Sequence, residues 1–204
     1  MTLGLPSIRP IPADALPALL AYKYNAIDRS LLSKYVLQPY WTWLVQFVPS
    51  WVAPNLVTLT GLLFIVANVL TLWALTGLEM ESSGPAWMYY WFGLGLFAYT
   101  SLDAIDGKQA RKTNTSGPLG ELFDHGCDAI NTFLGTIIIT HVTGVQNSWW
   151  HLAYLFIGTS YFFLVTWETY HTGTLALGII NGPVEGTMLL TFFFLMTGYT
   201  GQTW

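Results

Sequence analysis

Five apolar stretches, each about as long as a bilayer is thick, fill most of the chain after its first 50 residues. They run from Asn55 to Leu75, Ala86 to Gln109, Leu119 to Val142, Trp149 to Tyr170 and Pro183 to Thr200. Only 9% of the 204 residues are charged, which is too few to cover the surface of a soluble domain. We therefore predict an all-α fold, a polytopic integral membrane helical bundle of about five transmembrane helices.

The first 50 residues form a different kind of segment. They hold four of the seven basic residues of the chain, namely Arg9, Lys23, Arg29 and Lys34. Within them, Leu37 to Val48 is aromatic and apolar but too short to cross a bilayer, which is typical of an amphipathic helix at the membrane interface. We therefore predict a cytosolic amino-terminal segment with an interfacial helix over residues 1–50, and a membrane domain over residues 51–204.

The remaining basic residues indicate the orientation of the chain. Lys108, Arg111 and Lys112 all lie at the connection between the second and third apolar stretches. Two predicted spans separate this connection from the amino-terminal segment, so both lie on one side, and the positive-inside rule makes that side the cytosol. The net charge of −4 argues against a nucleic-acid-binding domain, and the single Cys127 excludes an internal disulfide.

Four aspartates interrupt the second and third stretches, where charge is costly. Asp103 and Asp106 share a helix face at i, i+3 spacing, and Asp124 and Asp128 share one at i, i+4. The short connection should make the two helices antiparallel neighbours, so that both pairs meet. A carboxylate at a helix centre costs about 2.5–3.5 kcal/mol on insertion scales, so we expect a cation among them. Oxygen-only ligation favours Mg²⁺, Mn²⁺ or Ca²⁺ over zinc, and four carboxylates can hold two divalent ions.

Small residues and an arginine lie on the same helix faces. Gly107 is one turn after Asp103, and Gly120 is one turn before Asp124. A side chain at either glycine would block the approach of a ligand to the metals. Arg111, one turn beyond Gly107, offers a bidentate donor for a phosphate. Taken alone, each of these residues is also typical of helix packing or a simple ion pair, but together they predict a pyrophosphate site at the membrane surface.

The spacing of these residues resembles a known family signature. Asp103-x-x-Asp106-Gly107-x-x-Ala110-Arg111, eight residues, and then Gly120-x-x-x-Asp124-x-x-x-Asp128 resembles the motif of the CDP-alcohol phosphotransferases, with every defining position matched. The segments LDAIDGKQARKTNTSGPLGELFDHGCDAIN, AYKYNAID, WVAPNLVTLTG and NGPVEG resemble the eukaryotic choline/ethanolamine phosphotransferase branch. The resemblance runs from about Ala21 to the end of the chain.

The resemblance implies an activity for the membrane domain. Phosphocholine or phosphoethanolamine would pass from CDP-choline or CDP-ethanolamine to diacylglycerol, and CMP would leave. The implied ligands of two Mg²⁺ or Mn²⁺ ions are Asp103, Asp106, Asp124 and Asp128. The implied contacts of the donor are Asn55 and Arg111, and the positions of Gly107, Gly120 and Glu121 make these residues further candidate contacts. The resemblance also implies an endoplasmic reticulum or Golgi membrane, a site facing the cytosol and a homodimer, and it does not separate choline from ethanolamine.

Two residues are candidates for the general base that takes the proton of the lipid hydroxyl. Asp128 is one, but a carboxylate bound to a cation is a weak base because the positive charge favours its ionised form. His125 adjoins Asp124, and histidine titrates near neutrality. We therefore prefer His125 and keep Asp128 as the alternative. Glu121 could accept a hydrogen bond from the cytosine amino group, support the metal ligands, or simply begin a solvent-exposed helix.

Two other functions remain open. The same metals could serve a transferase that uses CDP-diacylglycerol as the donor and a polar alcohol as the acceptor. A membrane protein that binds divalent cations with weak or no catalysis is the second alternative, although the unbroken motif argues against a non-catalytic relative. Members of the choline/ethanolamine branch are expected to be about twice as long, with later helices that enclose the lipid and form the dimer contact. We therefore expect this chain to have an intact metal site and weak or no activity.

Overall fold

Helices dominate the computed structural model, which describes residue 12 and residues 14–80 and 83–202. The first eleven residues of the predicted amino-terminal segment and the last two of the membrane domain lie outside these described ranges. The helices are α1 (Leu16–Ala21), α2 (Gln38–Leu44), α3 (Pro54–Thr76), α4 (Ala86–Thr113), α5 (Pro118–Val142), α6 (Trp149–Thr172) and α7 (Thr187–Thr200). π-helical turns at Ser33–Leu37 and Gly182–Gly186 precede α2 and α7, and a 3₁₀ turn at Val45–Phe47 follows α2.

Each of the five predicted apolar stretches is helical over most of its length, so the all-α prediction is confirmed. Of the five stretches, the last one gives the shortest α-helix, because its first residues form the π-helical turn before the 14-residue α7. By length and apolar composition alone, α3 is the one described helix that could cross a membrane. The count of five membrane crossings therefore stays a prediction.

A tight reversal joins α4 to α5 and places the acidic residues at one end of the bundle. Asn114 ends α4 in the left-handed conformation (φ 57°), and the amide of Thr115 donates to the carbonyl of Ala110 at 2.9 Å. Pro118 is the first residue of α5, a position at which its missing N–H costs no helical hydrogen bond. The two helices are therefore antiparallel, as the sequence predicts.

The long helix α3 organises the packing of the bundle. It lies along both α4 and α5, whereas α4 and α5 make few direct contacts with each other. Helix α7 packs on α4, and α6 packs on α5. The main apolar core includes Ile65 and Leu72 of α3, Phe92 of α4, Ile138 of α5 and Phe194 of α7. The prediction that α4 and α5 are neighbours therefore holds mainly at the acidic end of the bundle. Both helices pack instead against α3.

An amphipathic helix lies where the interfacial helix is predicted, and its position at a membrane interface stays a prediction. Leu37 and Trp41 are buried against Val57 of α3 and Ile105 of α4. The opposite face exposes large apolar side chains, namely Tyr35, Val36, Trp43 and Phe47. One face therefore anchors the helix to the bundle and leaves an aromatic surface of the kind that suits a membrane interface.

A short parallel sheet, which the sequence analysis did not predict, ties the amino-terminal segment to the connection between α6 and α7. Strand β1 (Ala26–Asp28) pairs with β2 (Leu175–Leu177). Next to the sheet, the buried Ser30 hydroxyl donates to the carboxylate of Glu185, which also accepts from the amide of Asn181 at 3.0 Å. Glu185 therefore has a structural role in holding the amino-terminal segment.

The contact between Gly95 of α4 and Asn68 of α3 gives a stability prediction. Asn68 is fully buried, and a Cβ added at Gly95 would lie 2.4 Å from its Nδ2 atom. We expect Gly95→Ala to lower the free energy of unfolding by about 1–3 kcal/mol, because overpacking forces the two helices apart. Thermal unfolding in detergent, followed by tryptophan fluorescence, measures this. Gly135→Ala in α5, where a Cβ would meet nothing within 4 Å, is the control, and equal melting of the two variants would contradict the prediction.

Candidate metal centre

Three of the four predicted ligands converge where α4 ends and α5 begins. Carboxylate oxygens of Asp103, Asp106 and Asp124 all lie within 4.8 Å of one another, and the three residues are partly buried. Their helical spacing places each pair on one face, and the short reversal places both pairs at the same depth. The cluster could therefore hold a metal ion, as the sequence predicts.

The fourth predicted ligand, Asp128, lies one turn further along α5 and outside this group of three. Its Oδ1 atom accepts a hydrogen bond of 2.5 Å from the hydroxyl of Tyr99. On the other side of the cluster, the hydroxyl of Thr58 donates to Oδ2 of Asp106. Sequence reasoning missed both donors, although Tyr99 precedes Asp103 by one helical turn and Thr58 follows Asn55 by one turn, so each shares a helix face with a predicted site residue.

Bare oxygen atoms show that the cluster fits a cation. Within the described ranges, the buried Oδ1 atoms of Asp103 and Asp124 have no hydrogen-bond partner. Buried polar atoms are nearly always paired, and an unpaired charged oxygen costs more than a neutral one. A hard divalent ion such as Mg²⁺ or Mn²⁺ matches an oxygen-only donor set, whereas zinc prefers nitrogen or sulfur. A bound cation would remove both the repulsion and the unpaired acceptors.

Each of the two predicted glycines lies next to one of the predicted donor contacts. A Cβ at Gly107 would be 3.6 Å from Nη1 of Arg111, and one at Gly120 would be 3.7 Å from Oδ1 of Asn55. Both distances are ordinary van der Waals contacts, so packing within the chain does not require either glycine. The same distances show that the Arg111 guanidinium lies over Gly107 and that the Asn55 amide lies beside Gly120. The two predicted donor contacts therefore border the space that the glycines leave.

The other polar residues near the end of α4 hold the amino-terminal part of the chain. Lys112 donates to the carbonyls of Val45 and Val48 at 3.2 and 2.6 Å. The fully buried Gln109 donates to the carbonyls of Pro49 and Val52 at 2.9 and 3.0 Å, which fixes the turn that leads into α3. These supporting roles were not predicted. Arg111, in contrast, is exposed and is the cation of the motif that lies next to the proposed ligand-binding space.

The extended residues before β1 reach the same site. The hydroxyl of Tyr22 donates to the carboxylate of Glu121, so Glu121 contacts the amino-terminal segment. Tyr24 is half exposed, and partial desolvation, followed by the nearby charges of Glu121 and Asp124, raises its pKa to about 12. Tyr24 therefore stays protonated at neutral pH and can donate a hydrogen bond. No local pattern indicates this approach, because 99 residues separate Tyr22 from Glu121.

His125 lies beside the acidic cluster on α5 and is partly buried. Its ring meets the edge of Phe162 of α6, with the ring centroids 6.5 Å apart and the planes at 73°. The two neighbouring predicted ligands, Asp124 and Asp128, are within one helical turn of it. Its role as a general base stays a prediction.

Comparisons with known proteins agree on the family of this fold. The family model described as CDP-alcohol phosphatidyltransferase matches residues 51–201. Choline/ethanolaminephosphotransferase 1 of Saccharomyces cerevisiae is 43% identical over 192 residues, which cover 94% of this chain and 49% of that protein. Choline/ethanolaminephosphotransferase 2 of Arabidopsis thaliana is 42% identical over 196 residues, 95% of this chain and 49% of that protein.

A vertebrate relative gives the same result. Cholinephosphotransferase 1 of Xenopus laevis is 44% identical over 195 residues, which cover 94% of this chain and 47% of that protein. The chain thus spans about half the length of the curated relatives that it matches. The part matched by the family model contains the acidic cluster together with Asn55, Thr58, Tyr99 and Arg111.

The unpaired carboxylate oxygens predict that divalent ions stabilise the fold. At a Mn²⁺ concentration of about 100 times its dissociation constant, we expect about 2.7 kcal/mol of added stability, seen as a higher melting temperature. Asp124→Asn should abolish this increase, because it removes a central ligand charge. Glu168→Gln, which neutralises an exposed carboxylate on α6, should keep it. An equal Mn²⁺ effect in the wild type and in Asp124→Asn would contradict the assignment of the metal centre.

Proposed function

Because the chain belongs to the CDP-alcohol phosphatidyltransferase family, we propose that it transfers phosphocholine or phosphoethanolamine from a CDP-aminoalcohol to diacylglycerol and releases CMP. The predicted family resemblance is confirmed by the match over residues 51–201. The names of the relatives support the choice of aminoalcohol donors. The observation that carries the proposal is the convergence of Asp103, Asp106 and Asp124, which leaves two buried oxygens without partners.

The proposed donor site consists of the acidic cluster and the residues next to it. Asp103, Asp106, Asp124 and Asp128 would hold two Mg²⁺ or Mn²⁺ ions. When bound, these ions would neutralise the pyrophosphate and stabilise the departing CMP. The space beside Gly107 and Gly120, called the glycine gap below, admits the pyrophosphate close to the helix backbones. Arg111 and Asn55, which border the gap, would donate hydrogen bonds to the CDP moiety, and Glu121 would accept one from it or hold the Tyr22 contact.

In the proposed reaction, the hydroxyl oxygen of diacylglycerol attacks the phosphorus that carries the aminoalcohol. His125 takes the hydroxyl proton, a bond forms between the lipid oxygen and that phosphorus, and the bond to the bridging oxygen of CMP breaks. The hydrogen bond from Tyr99 supports this choice of base over Asp128, because it occupies one oxygen of the Asp128 carboxylate. A proton acceptor in reach of the nucleophile contributes about 10²–10⁴-fold to such rates.

The acceptor and the location follow from the surface of the bundle. Helix α6 has no buried residue among those described and exposes large apolar side chains along its length, including Phe156, Ile157, Phe163 and Leu164. Such a surface suits lipid tails, so we propose that the bundle lies in the endoplasmic reticulum or Golgi membrane. The basic residues near the site favour a cytosolic orientation. We also propose a homodimer.

The experiment that tests the function is CMP release by the purified chain in vesicles that contain diacylglycerol. We expect at most weak, Mg²⁺-dependent release from radiolabelled CDP-choline or CDP-ethanolamine, and none from CDP-diacylglycerol supplied with inositol or glycerol phosphate. Metal-dependent binding of CDP-choline is the second measurement, since it reports on the site even at low turnover. Release from CDP-diacylglycerol alone would favour the alternative donor. Failure of both CMP release and metal-dependent binding would overturn the proposal.

Substitution of the two candidate bases separates their roles. We expect His125→Gln to lower kcat by about 10²–10⁴-fold and to leave Mn²⁺ affinity unchanged, because it removes only a proton acceptor. Asp128→Asn should weaken Mn²⁺ binding as well. The exposed His171→Gln at the end of α6 is the control and should resemble the wild type. Full activity of His125→Gln would transfer the role of base to Asp128.

The glycine gap gives a further prediction. Gly107→Ala and Gly120→Ala should melt at the wild-type temperature, since neither Cβ meets a protein atom closer than 3.6 Å. Both should nevertheless bind CDP-choline more weakly, by about tenfold or more, because the added methyl group occupies the proposed path of the pyrophosphate. Isothermal titration with CDP-choline and Mg²⁺ measures this. Gly135→Ala serves as the control, and wild-type affinity in both variants would show that the donor binds elsewhere.

A further inference from the structure

Two buried hydroxyl groups contact the acidic cluster from different helices. Thr58 of α3 is 2% exposed and Tyr99 of α4 is 3% exposed. Thr58 donates to Oδ2 of Asp106, and Tyr99 donates to Oδ1 of Asp128. We propose that these hydroxyls are positioning residues of the metal centre, each of which fixes one oxygen of a carboxylate and directs the other toward a divalent ion. This proposal rests on the metal site of the proposed function.

The Tyr99 hydroxyl donates to the Asp128 carboxylate from a buried ring. The ring itself is held in place by α3, since a Cβ at Gly61 would lie 3.5 Å from Cδ2 of Tyr99. A fixed ring gives a fixed hydroxyl, so the orientation of the Asp128 carboxylate follows from the packing of α3 on α4.

The Thr58 contact restrains the opposite side of the cluster. The Thr58 hydroxyl also lies 3.3 Å from the carbonyl of Pro54, in the first turn of the same helix. A charged acceptor binds a hydroxyl proton more strongly than a neutral carbonyl does, so the bond to Asp106 is favoured. Since Asn55 lies in the same turn, Thr58 links the metal ligand to the helix start that carries a proposed donor contact.

The two hydroxyls also connect three helices at the depth of the site. Thr58 joins α3 to α4, and Tyr99 joins α4 to α5. The second link matters because α4 and α5 make few direct contacts of their own. Without it, the Asp128 side chain would be free to turn away from the other three carboxylates. Partners that orient metal ligands in this way typically change metal affinity or activity by about 10–100-fold when they are removed.

The substitutions Tyr99→Phe and Thr58→Val test this role, because each removes the hydroxyl and keeps most of the side-chain volume. We expect each to raise the dissociation constant of Mn²⁺ by about 10–100-fold, measured by electron paramagnetic resonance titration of the purified chain. Thr58→Ser keeps the hydroxyl and should bind Mn²⁺ like the wild type.

Matched controls separate positioning from the general cost of a lost buried hydroxyl. Tyr89→Phe alters another buried tyrosine of α4, whose hydroxyl accepts from the amide of Gly84 at 3.3 Å. Thr197→Val alters a buried threonine of α7 that donates to the carbonyl of Phe193 at 2.9 Å. Both should keep wild-type Mn²⁺ affinity. Melting temperatures without metal report any structural loss in all variants.

The outcomes are distinguishable from a failure of the proposed function. Weaker Mn²⁺ binding in Tyr99→Phe and Thr58→Val, with wild-type binding in Thr58→Ser and the controls, supports the positioning role even if the chain releases no CMP. Wild-type Mn²⁺ affinity in both variants overturns it, as does an equal loss in Thr58→Ser. If Tyr99→Phe does not fold, the Thr58 pair decides. Absence of Mn²⁺ binding in the wild type overturns both the metal centre and this inference.

Discussion

Mutual repulsion among carboxylates in an apolar chain is the constraint on which the structure of this protein depends. Asp103, Asp106 and Asp124 converge at the junction of α4 and α5 within a bundle that has few other charges. Such a group is stable only with cations or protons among its oxygens, since burial strengthens repulsion. The need for a ligand is therefore built into the fold, and the unpaired oxygens of Asp103 and Asp124 indicate where that ligand belongs.

Helix α3 makes the convergence possible although it carries no acidic residue of its own. It packs along both α4 and α5, and small residues at its contacts let the backbones come close. It also brings Thr58 to Asp106 and places Asn55 beside Gly120. The glycines of the bundle consequently fall into two kinds. Gly95 is required by the packing of Asn68, whereas no packing contact within the chain requires Gly107 or Gly120.

The amino-terminal segment completes the surroundings of the site from a great distance along the chain. Strand β1 pairs with β2, Ser30 contacts Glu185, and Tyr22 contacts Glu121. Two polar residues near the end of α4 hold the same part of the chain, since Gln109 and Lys112 bind the turn and helix that precede α3. The segment and the acidic cluster are therefore one structural unit, in which residues near the motif support the backbone and leave Arg111 to border the ligand space.

The sequence by itself determined the helices, their order and the acidic pairs, because helical periodicity and apolar length are local properties that spacing reveals. It also predicted that Asp103, Asp106, Asp124 and Asp128 meet, since a short reversal brings two pairs to one depth, and the structure brings together the first three. Only the tertiary structure decided that α3 lies along both helices, that Tyr99 and Thr58 fix Asp128 and Asp106, and that Tyr22 reaches Glu121. Those contacts join distant parts of the chain, and their geometry depends on how whole helices pack, which no local pattern specifies.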